Sequence, residues 1–164
     1  MEPLPPSLLE LDAYLLSKIG KDARRRAAIR LAERELRLWH LAVLAALNDF
    51  GPHIQRDLAS RLGLDPSDVV KILDELTARG QVERTRDPVD RRRVQARLTP
   101  DGRAVLTELL AEARTVDEQL LAPLDPDERE QLHGLLARVL DHSLREPSAA
   151  VDRDVTGVPA RRYR

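Results

Sequence analysis

Six arginines, Arg84, Arg86, Arg91, Arg92, Arg93 and Arg97, fall within the first fourteen residues of the stretch RTRDPVDRRRVQARLTP, with only Asp87 and Asp90 among them as carboxylates. The local excess is four positive charges in a chain of formal net charge −1. Each guanidinium presents a planar fork of donors that suits phosphate and can enter a narrow minor groove, where the negative potential of DNA concentrates. A carboxylate one to three residues away can orient such an arginine and stabilise a turn through side-chain-to-backbone hydrogen bonds. Taken alone, an arginine-rich hairpin reads equally well as a solvated edge that resists aggregation. What decides between these readings is the set of elements that carries it.

Other chemistries find less support. His40, His53, His133 and His142 form no metal-binding pattern, and the chain carries neither a glycine-rich phosphate loop nor a nucleophile elbow. The expectation is therefore a protein that is not an enzyme and uses no metal or cofactor. With no cysteine there can be no disulfide or thiolate site. The N-terminus lacks the pattern of a signal peptide and no long apolar run occurs, so a cytoplasmic location without membrane association is expected.

Apolar residues make up 42% of the 164 positions and charged residues 34%, while aromatics are only 2%, which suits a core of Leu, Ala and Val between helices. Leu8, Leu11, Leu15, Ile19, Ala23 and Ala27 recur at spacings of three and four and predict one long helix from Ser7 to about Glu35. LRLWHLAVLAALNDFG predicts a buried helix closed at Gly51 and Pro52. IQRDLASRLGLDPSDVVKILDELTARG then reads as two helices joined at Leu62, Gly63 and Leu64. Asp65 caps the second of these, Pro66 opens it, and Val69, Ile72, Leu73 and Leu76 form its inner face.

QVERTRD and RVQARLT alternate as strands around a turn, Thr99 and Pro100 open a further helix that runs to Pro123, and a last helix spans Pro126 to Arg145. A hairpin directly after a helix-turn-helix is a wing, and a wing meets phosphates. The predicted class is mainly α with a small β wing. Residues 1–35 form an N-terminal helix, 36–99 a winged helix-turn-helix, 100–145 two further helices, and 146–164 a flexible tail.

Base reading falls to the few side chains at the start of the recognition helix. Ser67, Asp68, Val70 and Lys71 offer a hydroxyl, an acceptor for a cytosine amino group, a methyl-contacting group and a cation. Arg56 and Ser60 on the preceding helix are candidates for backbone phosphates, as is Arg86 at the base of the hairpin.

LAVLAAL, IQRDLASRLGLDPSDVVKILDELTARGQVER and DPVDRRRVQARLTPDGRAVL, in this order and spacing, resemble the multiple-antibiotic-resistance regulator (MarR) family of winged-helix transcription factors. The wing element DPVDRRR followed by LTPDG is the most specific part, and the likeness covers residues 8 to 145. It implies a homodimer held by the first and last two helices, which makes residues 1–35 and 100–145 the dimerisation helices, reading a pseudopalindromic double-stranded DNA operator whose half-sites lie about 34–36 Å apart. It carries DNA contact to Ser67, Asp68, Val70, Lys71, Arg91 and Arg92, with Asp90 orienting the wing. Pro66 and Asp68 depart from the family's usual residues and bear on which operator is read.

The resemblance further implies repression relieved by a small, often aromatic or phenolic, ligand, with Tyr14, Arg37, Trp39 and His40 as candidate lining residues. Trp39 reads more readily as a core or interface anchor, and His40 as a partly exposed or core histidine. The competing function is a winged-helix protein-interaction module without specific DNA binding.

Overall fold

The computed structural model describes residues 4–86 and 93–145. The elements run α1 (Pro6–Leu9), α2 (Asp12–Ala32), α3 (Leu38–Phe50), β1 (His53–Ile54), α4 (Gln55–Leu62), α5 (Pro66–Ala78), β2 (Val82–Arg86), β3 (Val94–Leu98), α6 (Pro100–Leu120) and α7 (Pro126–Arg145). They fall into two compact units, Met1–Leu120 and Leu121–Arg164. Among the described residues no helix is long and apolar enough to cross a membrane.

The continuous helix expected from Ser7 to Glu35 is corrected in two places. Leu11 adopts an extended conformation (φ −99°, ψ 113°), which separates α1 from α2. No residue of α1 is buried, so packing does not hold the chain helical there, while Asp12 gains from the positive end of a new helix. At the other end, α2 stops at Ala32 and Glu35 takes a left-handed conformation at φ 55°.

The core of the first unit is aliphatic. Val43, Leu44 and Leu47 of α3 pack with Leu58 of α4, Val69, Leu73 and Leu76 of α5, and Leu106 and Leu109 of α6. Burying an aliphatic side chain of this size contributes about 1.5–3 kcal/mol relative to exposure, which holds short helices that would be marginal alone. Gly63 closes α4 in the left-handed region at φ 63°, a conformation open to glycine without a Cβ penalty. Asp65 Oδ1 accepts from the Ser67 N–H at 2.7 Å and Pro66 occupies the first turn of α5, as its N-terminal pattern predicts.

The sheet has three antiparallel strands in the order β1-β3-β2, with Arg84 opposite Ala96 and His53 on the other side of Ala96. The hairpin is as expected, whereas β1 is an addition. Two residues carry too little alternation to be read as a strand, and only pairing with β3 makes them one. Val82, Ala96 and Leu98 turn inward and join the core.

Thr99 ends β3 and starts α6. Its N–H donates to the Gln81 carbonyl at 3.2 Å, its hydroxyl donates to the Gly80 carbonyl at 2.7 Å, and its Oγ1 accepts from the Gly102 N–H at 2.9 Å. One residue thus caps α6 and fastens it to the reversal between α5 and β2.

In the second unit, α7 opens with a reciprocal cap. The Asp125 N–H donates to Glu128 Oε2 and the Glu128 N–H to Asp125 Oδ1, each at 2.9 Å. No residue of α7 is buried. The predicted tail, 146–164, lies outside the described residues, as do Asp87, Asp90, Arg91 and Arg92 of the wing.

Candidate nucleic-acid interface

Val69, Ile72, Leu73 and Leu76 spend one side of α5 on the core, so the opposite side is left outward by helical periodicity. Ser67, Asp68 and Lys71 are exposed there and Val70 is half-buried. The Lys71 ammonium lies 3.6 Å from the Asp68 carboxylate, a weak contact between exposed groups that leaves both accessible. At the head of the helix, Gln55 Nε2 donates to the Pro66 carbonyl at 3.2 Å and joins the start of α4 to the start of α5. Arg56 and Ser60 on α4 are exposed.

The basic hairpin is less free than its composition suggests. Arg84 Nη2 lies 2.6 Å from Asp74 Oδ1 on α5, and Arg97 Nε lies 3.9 Å from Glu83 across the hairpin. Two of the six arginines are thereby turned toward acidic neighbours, and Arg84 fastens the wing to the recognition helix. Arg86, at the outer end of β2, is exposed. An open groove lies where the start of α4 meets β3, lined by Ile54, Gln55, Arg56, Asp57, Arg93 and Val94.

Of the four residues expected to line a ligand pocket, Arg37 and His40 meet on one carboxylate, that of Glu75. Arg37 Nη2 contacts both oxygens of Glu75, at 2.8 and 2.7 Å. His40 is completely buried. Its Nδ1 accepts the Arg37 N–H at 2.9 Å, which leaves the proton of the neutral ring on Nε2, facing Glu75 Oε2 at 2.8 Å. Burial holds the His40 imidazole below its ordinary range, against the upward pull of the Glu75 hydrogen bond. Burial also works to raise the Glu75 carboxyl, but the hydrogen bonds from Arg37 and His40 outweigh it and the group titrates low.

Trp39 is 38% exposed, and Tyr14 on α2 has the Lys18 ammonium 5.2 Å from its ring centre. A separate narrow crevice between α2, α3 and α6 is lined by Ala27, Arg30, Leu31, Leu41, Leu109, Glu112 and Ala113, and contains none of the four.

Glu75 and Arg79 escaped the sequence reading. Arg79 Nη1 donates to the Arg34 carbonyl at 3.3 Å, and its Nη2 to the Glu35 carbonyl at 3.2 Å. On an acidic helix face nothing marks Glu75 as the partner of a histidine 35 positions earlier. The one local signal was the three-residue spacing of Arg37 and His40, which is that of a capping box. Among the described residues, no group of three or more His, Asp or Glu is arranged to hold a metal.

A helix-turn-helix whose second helix is followed by a β-hairpin, with basic residues at the hairpin and polar ones at the helix head, defines a winged helix-turn-helix of the DNA-binding class. A sequence profile of the MarR family matches residues 35–93. The chain belongs to the MarR family of transcriptional regulators. It is 31% identical over 140 residues to the HTH-type transcriptional repressor NicR of Pseudomonas putida, spanning 84% of this chain and 87% of that one.

Two solved structures are similar over most of the chain. A probable transcriptional regulator from Pseudomonas aeruginosa shares 33% identity at a TM-score of 0.67, covering 80% of this chain and 98% of that one. BpsR of Bordetella bronchiseptica, solved to explain regulation of its DNA binding by 6-hydroxynicotinic acid, shares 28% identity at a TM-score of 0.68, covering 85% and 99%.

Proposed function

We infer that this chain is a homodimeric transcriptional repressor that acts in the cytoplasm, binds a pseudopalindromic operator, and leaves it when a small aromatic acid binds. The observation that carries the reading is the outward head of α5, with Ser67, Asp68 and Lys71 exposed, fastened through Asp74 and Arg84 to an arginine-rich wing. Ser67, Asp68, Val70 and Lys71 read bases, and Arg56, Ser60 and Arg86 meet phosphates. Arg91 and Arg92 enter the minor groove, with Asp90 directing them.

Dimerisation is supported by α7, where Leu135, Leu136, Val139 and Leu140 are 41–59% exposed. An apolar stripe of this kind marks an interaction surface, and a second copy supplies an identical stripe to cover it. The ligand class is supported by BpsR, whose DNA binding 6-hydroxynicotinic acid regulates. Tyr14 and Trp39 offer rings to such a molecule and Arg37 a charge, while His40 stands buried behind Arg37, joined to it through Glu75.

The test is a mobility shift of the purified chain on the DNA upstream of its own gene, across a salt series and with 6-hydroxynicotinic acid as the first effector probe. Specific retardation at dimer stoichiometry that weakens steeply with salt supports the reading, because phosphate contact releases counterions. Binding no tighter than to random DNA contradicts it and favours a winged domain that meets a protein partner.

A further inference from the structure

The corner between α2 and α3 is tied to two helices at once. Toward α6, the Arg34 guanidinium meets Glu108 and Glu112, the latter at 2.8 Å. Toward α5, Arg79 donates to the carbonyls of Arg34 and Glu35 and to the Glu35 carboxylate at 3.3 Å. One turn earlier on α5, Glu75 accepts from Arg37 and faces the buried His40. Glu35 holds its left-handed conformation at this junction, an arrangement that costs a non-glycine residue about 1 kcal/mol and persists only where neighbours over-determine it.

We propose that Glu75 and Arg79 are positioning residues for operator recognition, aiming the head of α5 from its far end. The inference rests on the operator-binding reading above. The residues that bury α5, namely Val69, Ile72, Leu73 and Leu76, are aliphatic, and such contacts fix how deep a helix lies better than which way it points. Direction comes from bonds with geometry, and these gather at the C-terminal end of α5.

A helix rises about 1.5 Å per residue, so Asp68 lies roughly 16 Å along the axis from Arg79. A tilt of about 5° about the far end moves the head by about 1.4 Å, enough to break base contacts that need 2.7–3.2 Å. At the head Gln55 donates to the Pro66 carbonyl through one hydrogen bond, whereas at the far end Glu75 and Arg79 between them reach Arg34, Glu35, Arg37 and the buried His40. The same ties run on through Arg34 to α6, so whatever shifts α2 against α6 shifts the aim of α5.

The experiment compares the full-length chain with Glu75→Gln and Arg79→Gln. Fluorescence anisotropy follows binding to the upstream fragment and to random DNA over a salt series, at a temperature where thermal melts show each protein folded. Both variants are expected to lose about tenfold in affinity for the specific fragment, to keep their affinity for random DNA, and to keep the wild-type slope of log K against log salt. A merely stabilising pair would lower the melting temperature and leave the specificity ratio of the folded protein unchanged, and that result overturns the proposal.

A reduced salt slope for Arg79→Gln also overturns it, because Arg79 would then be touching phosphate. Should the glutamine variants not fold, Arg79→Lys keeps the charge but cannot span both carbonyls. It is expected to fold with a lowered specificity ratio, and an unchanged ratio counts against the proposal. If the unaltered chain itself shows no preference for the upstream fragment, the operator-binding reading falls and this inference with it.

Discussion

A Cβ atom at position 102 would stand 2.0 Å from the carbonyl oxygen of Gln81 and 2.7 Å from Leu98 Cδ1. The first turn of α6 lies against the backbone that links α5 to β2, and only glycine lets the two meet. Gly102→Ala forces backbone apart and is expected to cost about 2–3 kcal/mol, read as a lowered urea midpoint. A change within 0.5 kcal/mol, on the order of an ordinary surface substitution, would show that the reversal gives way freely.

Thr99 serves the same junction through its hydroxyl. Thr99→Val keeps the shape but removes both the cap on Gly102 and the bond to Gly80, at an expected cost of about 1–2 kcal/mol. Thr99→Ser restores both bonds and should recover most of that loss. Equal melting temperatures for the Val and Ser variants would refute the role.

Stability should fall on mild acidification, with His40 as a main cause. Burial first, then Arg37 and Arg79, hold its pKa below the ordinary value of 6.5, while Glu75 opposes them. The unfolded chain therefore takes up this proton at higher pH than the folded one. The stabilising contribution is complete above about pH 6.5 and is lost as pH drops below it. Glu75, held below 4.5, has the same sign, its contribution being lost at lower pH still. Melting temperature should decline between about pH 7 and 5, and His40→Gln should flatten that section of the profile. A decline of the same depth in the variant would remove His40 as its cause.

For the wing, replacing Arg91 and Arg92 together by Ala should weaken operator binding by roughly tenfold or more and reduce the salt slope, with the melt unchanged. Unaltered affinity at matched salt would place the minor-groove contact elsewhere.

For the assembly, Leu136→Asp with Leu140→Asp puts charge on the exposed stripe of α7 and should shift the protein from dimer to monomer in light scattering. A dimer that survives would locate the interface away from α7. Trp39→Ala, in turn, should abolish ligand-induced release while leaving the dimer intact.

Much of the architecture was legible because its causes are local. Gly63 at the turn, Asp65 and Pro66 at the start of α5, Gly51 and Pro52 after α3, and the apolar spacing of Val69 to Leu76 each act within a few residues. The chain order of helix-turn-helix and hairpin is enough to turn an arginine cluster into a wing. The break at Leu11 and the early stop at Ala32 were not legible, since the periodicity of the leucines and alanines runs through both.

What the sequence by itself determined is the order of elements, the helix caps, the inner face of α5 and the family to which the chain belongs. Only the tertiary structure decided which partner each polar group takes: Asp74 for Arg84, Glu75 for Arg37 and His40, the end of α2 for Arg79, and Gln81 as the reason for Gly102. The physical reason is range. Caps and periodicity are interactions between near neighbours, whereas an ion pair or a steric exclusion between distant segments exists only once the aliphatic core has brought their backbones together.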